Sequence, residues 1–218
     1  MSDRCLLYYI TDRSQFRGDE PDRRRALLAK IIDAARARVD YIQLREKDLS
    51  AKELEMLARE ALAGVRQNSA STRLLLNSRA DLALAVGADG VHLRSDDLSP
   101  REIRSVLQLS LPGSQSTDRF LVAASCHTDE EVIRAQSEGA DFAVFAPVFG
   151  KRGAFGMPPA GLAALRLACH VQLPVLALGG VTIANAASCV DAGAAGIAGI
   201  RLFQENKIED VVRALRAL

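Results

Sequence analysis

The 218-residue sequence has no excess of charge of either sign: 28 Lys and Arg stand against 27 Asp and Glu, for a formal charge of +1. It also has no long basic block. It therefore offers no electrostatic footprint for nucleic acid or an acidic membrane surface, and a small molecule is the expected partner. Cysteine is sparse. Cys5, Cys126, Cys169 and Cys189 form no C-x-x-C pair or other zinc spacing, which points to a reduced, cytoplasmic chain. No apolar run approaches the roughly 20 residues of a membrane-spanning helix, and Met-Ser-Asp-Arg at 1–4 does not read as a basic-then-apolar signal. A stretch of linker composition is missing too, so one domain over residues 1–218 is expected. A chain of this length can bury roughly 70–75% of its unfolded surface, enough for a core without disulfide or metal staples.

What is present is alternation. Short runs of Leu, Val, Ile and Tyr alternate with Ala-rich stretches of helical period, as in a parallel sheet built from βα units. Eight strands are expected, near Cys5–Ile10, Asp40–Arg45, Arg73–Asn77, Asp89–Leu93, Phe120–Ser125, Asp141–Ala146, Pro174–Leu178 and Ala195–Ile200, with a last helix near Ile208–Leu218. Eight such units make an α/β fold, a single-domain (β/α)8 TIM barrel. A weak repeat supports the count: Gly87-Ala-Asp-Gly-Val, Gly139-Ala-Asp-Phe-Ala and Gly193-Ala-Ala-Gly-Ile each place Gly where a helix ends before a strand. The Ser- and Gly-rich segment 111–119 precedes a strand and reads as a bottom loop. Segment 150–159 follows one and is expected over the active face.

Side chains on a strand alternate between barrel interior and helix layer. Parity places Tyr41, Gln43 and Arg45 on one face with Lys47 beyond, while Ile42 and Leu44 face the helices. An amide and two cations at a strand end suit phosphate oxygens; a rim salt-bridged to Glu46 and Asp48 is the alternative. Asn77 leads through Ser78 and Arg79 to Asp81. Asp96 and Asp97 follow the fourth strand, where carboxylates hold Mg²⁺ with substrate phosphates or cap the helix after Ser99-Pro100. Inward-facing His92 reads as a hydrogen-bonded core histidine. Ser125 and His127 share a side toward the mouth. His127 is the acid–base candidate, with a polar helix start as the alternative. Cys126 points the other way and packs as a small hydrophobe. Gly179-Gly180 end the seventh strand and Gly199 the eighth, where barrels of this kind build a phosphate site from backbone N–H groups.

Taken together, Tyr-Ile-Thr-Asp at 9–12, Gln-Leu-Arg-Glu-Lys at 43–47, Asn-x-Arg-x-Asp at 77–81, Ala-Asp-Gly-Val-His at 88–92, Ser-x-His-Thr at 125–128, Pro-Val-Phe at 147–149 and Gly-Gly-Val-Thr at 179–182 resemble the thiamin phosphate synthase and TenI-type thiazole tautomerase superfamily over nearly the whole chain. The resemblance implies a site for thiazole phosphate at Gly179, Gly180 and Gly199. For the synthases it implies coupling of that thiazole to a pyrimidine methyl pyrophosphate with release of pyrophosphate. Gln43, Arg45, Lys47, Asn77 and Ser125 then contact pyrophosphate or pyrimidine, and Asp97 is a Mg²⁺ ligand.

Two departures bear on the reaction. Ser78 stands where the synthases carry a second Mg²⁺-binding Asp, and Gly150-Lys-Arg-Gly-Ala replaces their Thr-x-Thr-Lys segment, with Lys151 or Arg152 as substitutes for the missing cation. Arg94-Ser95 replaces Gly-Gln. Arg201 stands where a small hydroxyl residue usually sits; it either binds the phosphate or crowds it. Tautomerases share both main departures, need no metal, and use a His that falls at His127. A tautomerase-like reaction through His127 is accordingly placed first, with synthase chemistry requiring Mg²⁺ second and a catalytically degraded phosphate-ligand sensor or scaffold third. The sequence leaves a homo-oligomer open.

Overall fold

Each short apolar strand is followed by a helix whose buried stripe returns the chain to the same sheet, and eight repeats close it. The computed structural model describes residues 4–110, 120–150 and 158–218, with the side chains of 109 and 110 excepted. In order the elements are β1 (Leu6–Ile10), α1 (Glu20–Arg36), β2 (Tyr41–Leu44), α2 (Ala51–Asn68), β3 (Arg73–Asn77), α3 (Ala80–Val86), β4 (Gly90–Leu93), α4 (Pro100–Ser110), β5 (Leu121–Cys126), α5 (Asp129–Ser137), β6 (Phe142–Phe145), α6 (Gly161–Ala168), β7 (Val175–Ala177), α7 (Ala186–Asp191), β8 (Gly196–Gly199), α8 (Arg201–Gln204) and α9 (Ile208–Arg216). All strands pair in parallel with their sequence neighbours, and β1 pairs with β8, so the sheet is the closed (β/α)8 barrel that the sequence pattern predicts.

The glycine repeat has the expected geometry. Gly87, Gly139 and Gly193 have φ of 72°, 84° and 101°. After each, the next residue's N–H reaches back five residues: Ala88 to Ala83, Ala140 to Ala135 and Ala194 to Cys189. These bonds satisfy helix carbonyls that would otherwise have no partner. Two members of that repeat, and the matching turn before β2, carry a second device, an acidic residue. Asp40, Asp89 and Asp141, each just ahead of an even-numbered strand, accept the backbone N–H of Leu7, Leu74 and Val122 on the preceding strand, at 2.8, 2.8 and 2.7 Å. Each also pairs with arginine: Asp40 with Arg4 and Arg216, Asp89 with Arg73, Asp141 with Arg104. The barrel bottom is thus pinned by charge-assisted bonds.

Strand parity divides the core. Leu7, Ile42, Leu74, Phe145, Val175 and Ile197 face the helices and belong to the large outer cluster, whereas Tyr8, Leu75, Ala123, Phe142, Val144 and Leu176 fill the barrel. Tyr8, Tyr41 and Phe142 form an aromatic plug: Tyr41 stacks on Phe142 at 4.7 Å between centroids, and Tyr8 meets both edge-on at 5.9 and 5.4 Å. The polar layer above it holds His92, fully buried, whose Nδ1 lies 3.1 Å from the Tyr8 hydroxyl and whose Nε2 lies 2.8 Å from Ser125 Oγ. Burial, reinforced by the charge of Arg45, lowers the His92 pKa to about 3 and keeps the ring neutral. His92 is therefore the satisfied core histidine that parity predicts.

Phe142→Ala should cost about 3–5 kcal/mol of unfolding free energy in a denaturant titration, the loss typical of removing a buried aromatic ring; a loss under about 1 kcal/mol would contradict the plug. His92 also sets a pH dependence. Its folded value lies below the ordinary 6.5, so between the two the unfolded chain takes up a proton that the folded chain does not. The contribution is complete above about pH 6.5 and declines as pH falls, by at most about 1.4 kcal/mol per unit. The stability difference between wild type and His92→Asn should accordingly shrink between about pH 7 and about pH 5, and a constant difference would argue against a buried neutral ring.

Candidate active site

The carboxyl end of β2 sets the charge of the mouth. Glu46, between Arg45 and Lys47, is buried. It accepts the Thr11 hydroxyl at 2.6 Å, the Arg13 backbone N–H at 3.0 Å and the Arg13 guanidinium at 3.2 Å. Arg13 also forks onto Asp48 at 2.6 and 2.8 Å and reaches Glu20 at 2.7 Å. Thr11 completes the clamp by accepting the Arg45 backbone N–H at 2.9 Å. The rim pairing of Glu46 and Asp48 with Arg45 and Lys47, the alternative left open by the sequence, is not what forms. Both carboxylates serve Arg13, and no carboxylate among the described residues forms an ion pair with Arg45 or Lys47. The two cations are close: Arg45, followed by burial and Arg94, lowers the Lys47 pKa. Since Arg45 also bears on His92, it sits between the polar layer and the rim.

Gln43 is buried on the inner face and donates to Asn77 Oδ1 at 3.1 Å, while Asn77 Nδ2 donates to Ser78 Oγ at 3.0 Å. Ser78 holds a φ of 62°. Arg79 forks onto Asp81 at 2.9 and 2.6 Å, which accounts for that carboxylate. After β4, Arg94 pairs with Asp96, and its backbone N–H donates to Asp97 Oδ2 at 2.7 Å. Capping does not explain the Asp pair, because α4 is started by Ser99 and Glu102, each bonding the other's backbone N–H at 2.7 and 3.3 Å. Asp97 Oδ1 has no partner among the described residues.

On β5, Ser125 meets His92 as above. His127 sits just before Thr128, which caps α5 by accepting from Glu131 N–H at 3.2 Å. The His127 side chain is not the cap; its Nδ1 donates to the Ala146 carbonyl at 2.6 Å, which fixes the ring and leaves Nε2 as its other nitrogen. Cys126 is buried in the outer layer, its thiol pushed up to about 12 by burial.

Gly179 and Gly180, at φ 97° and 65°, have a packing reason beyond any anion. A Cβ on Gly179 would lie 2.7 Å from Pro147 Cα, and one on Gly180 would lie 2.8 Å from Phe149 Cβ. The segment after β6 runs alongside them, with Val148 and Phe149 donating to Leu178 and Gly179 carbonyls at 2.9 Å each. The N–H groups of Gly179, Gly180 and Val181 find no acceptor among the described residues, nor do those of Ile200, Arg201 and Leu202 across the seam. Gly199 faces the helix layer, where a Cβ would meet Leu202 at 2.9 Å, so it lets α8 turn back tightly. Arg201 is exposed and forms no ion pair among the described residues. Lys151 and Arg152 lie outside the described residues.

Sequence reasoning missed Tyr8, Thr11 and Arg13. Tyr8 was open to parity, since it shares its face with the inner cluster. Arg13 carries no local signal for the clamp, because Glu46 and Asp48 lie 33 and 35 residues away.

The family model described as thiamine monophosphate synthase matches residues 7–203. The chain is 38% identical over 200 residues to a putative thiamine-phosphate synthase 2 of Aquifex aeolicus (strain VF5), covering 91% of this chain and 97% of the relative. It is 37% identical over 216 residues to the thiamine-phosphate synthase of Methanoculleus marisnigri (strain ATCC 35101 / DSM 1498 / JR1), covering 96% and 93%. The solved structure of thiamine phosphate pyrophosphorylase from Pyrococcus furiosus is similar to it with a TM-score of 0.77 at 26% identity, over 97% of this chain and 94% of that one. Eight βα units, ordered motifs and these relatives agree: the chain belongs to the thiamine monophosphate synthase family of thiamin-biosynthesis enzymes.

Proposed function

We propose that the protein is a thiamin phosphate synthase that joins a pyrimidine methyl pyrophosphate to thiazole phosphate and releases pyrophosphate. One observation carries this reading: Arg45 and Lys47 form no ion pair among the described residues because Glu46 and Asp48 are spent on Arg13, and Arg94, itself paired with Asp96, lies near enough to bear on Lys47. Two unpaired cations with a third beside them suit a diphosphate better than a monophosphate. The names of the relatives favour the same choice, which reverses the order drawn from the sequence, where the tautomerase stood first.

In the proposed reaction the bond between the pyrimidine methylene carbon and the diphosphate oxygen breaks, and its electron pair leaves with the diphosphate. The thiazole nitrogen then donates its lone pair to the carbon. Charge builds on the departing oxygens, so fixed cations at Arg45, Lys47 and Arg94 stabilise the transition state more than the bound substrate. Gln43, Asn77 and Ser125 line the floor on which the pyrimidine would rest. The N–H groups of 179–181 and 200–202, with Arg201, would take the thiazole phosphate.

The described residues contain no group of three or more His, Cys, Asp or Glu able to hold a metal. A resident metal cage does not fit, but an ion shared with substrate does: Mg²⁺ is commonly held by one or two carboxylates plus phosphate oxygens, and Asp97 has a free hard oxygen beside the cation cluster. Mg²⁺ bound there would neutralise part of the diphosphate charge.

His127 supports a second reading. Its Nδ1 is held by the Ala146 carbonyl, which leaves Nε2 as the nitrogen that would exchange a proton in an acid–base step on a thiazole carboxylate phosphate, without a metal. For cellular setting, the four free thiols and the absence of a membrane-length apolar helix among the described residues fit a cytoplasmic enzyme acting on small molecules.

Purified protein given Mg²⁺, thiazole phosphate and pyrimidine methyl pyrophosphate should form thiamin phosphate, detected by chromatography. Arg45→Ala should lower kcat/KM for the pyrimidine substrate about 10²- to 10³-fold, and His127→Ala by less than about 10-fold. Failure to form thiamin phosphate, together with His127-dependent tautomerisation, would establish the second reading instead.

A further inference from the structure

The hydroxyl of Tyr8, the imidazole of His92 and the hydroxyl of Ser125 form one chain from the centre of the barrel to its mouth, at 3.1 and 2.8 Å. The direction in which protons are donated along that chain decides what Ser125 can offer a ligand. We propose that Tyr8 and His92 are positioning residues that hold Ser125 as a hydrogen-bond donor, so that the ligand atom set against Ser125 is an acceptor.

A neutral imidazole carries one N–H, so only two arrangements exist. In one, the Tyr8 O–H donates to Nδ1, Nε2–H donates to Ser125 Oγ, and the Ser125 proton is free for the ligand. In the other, Nδ1–H donates to Tyr8, Nε2 accepts from Ser125, and the Tyr8 proton must find another acceptor. The surroundings of Tyr8 exclude the second. Its side chain is fully buried, its ring is enclosed by the edges and faces of Tyr41 and Phe142, and among the described residues His92 is its only hydrogen-bond partner. A buried O–H with nothing to donate to is disfavoured. The imidazolium, which would donate at both nitrogens, is opposed by full burial and by the nearby Arg45 charge. Ser125 is half-buried, with His92 as its only side-chain partner among the described residues, so its proton is available at the mouth.

A ligand atom fitting this donor is an anionic oxygen or an unprotonated ring nitrogen; an N–H there would be rejected. Which substrate supplies it rests on the synthase reading, whereas the polarity of the chain does not.

The first test needs no variant and no ligand. In ¹⁵N-labelled protein, long-range ¹H–¹⁵N correlation spectra should show His92 as the neutral Nε2–H tautomer from about pH 5 to about pH 8, the signal being assigned by its absence from His92→Gln or by elimination using His127→Ala and His170→Ala. A neutral Nδ1–H ring, or an imidazolium in that range, would overturn the proposal. In Tyr8→Phe the tautomer should become mixed, since Nδ1 has lost its donor; an unchanged pure Nε2–H signal would remove Tyr8 from the device.

Calorimetry then distinguishes the acceptor. Ser125→Ala should weaken binding of either inorganic pyrophosphate or the unphosphorylated pyrimidine alcohol by about 5- to 100-fold. Loss for pyrophosphate identifies an anionic oxygen, and loss for the alcohol a ring nitrogen. Unaltered affinity for both would show that Ser125 donates to neither and would overturn the donor role. Failure of the synthase reading would appear instead as absence of thiamin phosphate in the coupling assay, with the tautomer result intact.

Discussion

The charge of the mouth depends on where one buried carboxylate is spent. Glu46 lies between two cations in sequence, and a local pairing with either neighbour would neutralise the face that parity turns toward the ligand. Instead the Thr11 hydroxyl and Arg13 draw it across to β1, and the same guanidinium takes Asp48. Burial raises the Glu46 pKa, and the Thr11 hydroxyl, the Arg13 amide and the Arg13 guanidinium act against that by stabilising its ionised form. Arg45 and Lys47 are left without an ion-paired carboxylate among the described residues, while Arg94 beside them pairs with Asp96. Arg13 therefore acts on the site without facing it.

A second constraint works on the opposite side of the mouth. Gly179 and Gly180 let the segment through Pro147–Gly150 lie against β7, and the two loops bond along Val148 and Phe149. The same backbone turn leaves consecutive N–H groups uncommitted. The close packing and the uncommitted N–H groups are thus two results of one requirement, the absence of Cβ. The mouth is then bipolar in construction, with side-chain cations after β2 and β4 and backbone donors after β7 and β8, an arrangement that the proposed coupling of two phosphate-bearing substrates would use.

Much of the fold was legible because it rests on periodic signals. Each expected strand overlaps an observed one, and Gly87, Gly139 and Gly193 cap as their repeat suggests. Parity correctly turned Gln43 inward and Ile42 and Leu44 outward, and it recognised His92 as a core residue. Long-range choices were less legible. The repeat's aspartates bond the preceding strand's backbone, which only the register shows, and Arg13 selects its carboxylates through tertiary contact. The Asp96-Asp97 pair was open to a Mg²⁺ or a capping role, although Ser99 with Glu102, the capping-box spacing, was the stronger signal for the cap. Choice of reaction turned on Ser78 and on Gly150-Lys-Arg-Gly-Ala, of which all but Gly150 lies outside the described residues. The relatives and the unpaired cations favour the synthase, whereas the departures at those positions alone favoured the tautomerase.

Affinity for inorganic pyrophosphate in Arg13→Gln tests the central claim most directly, because Arg13 has no place in the ligand site. Releasing Glu46 and Asp48 should let them compete for Arg45 and Lys47 and weaken pyrophosphate binding by about 10-fold or more in calorimetry of the folded variant. Wild-type affinity in that variant would contradict the claim that the clamp on Glu46 is what leaves the mouth cationic.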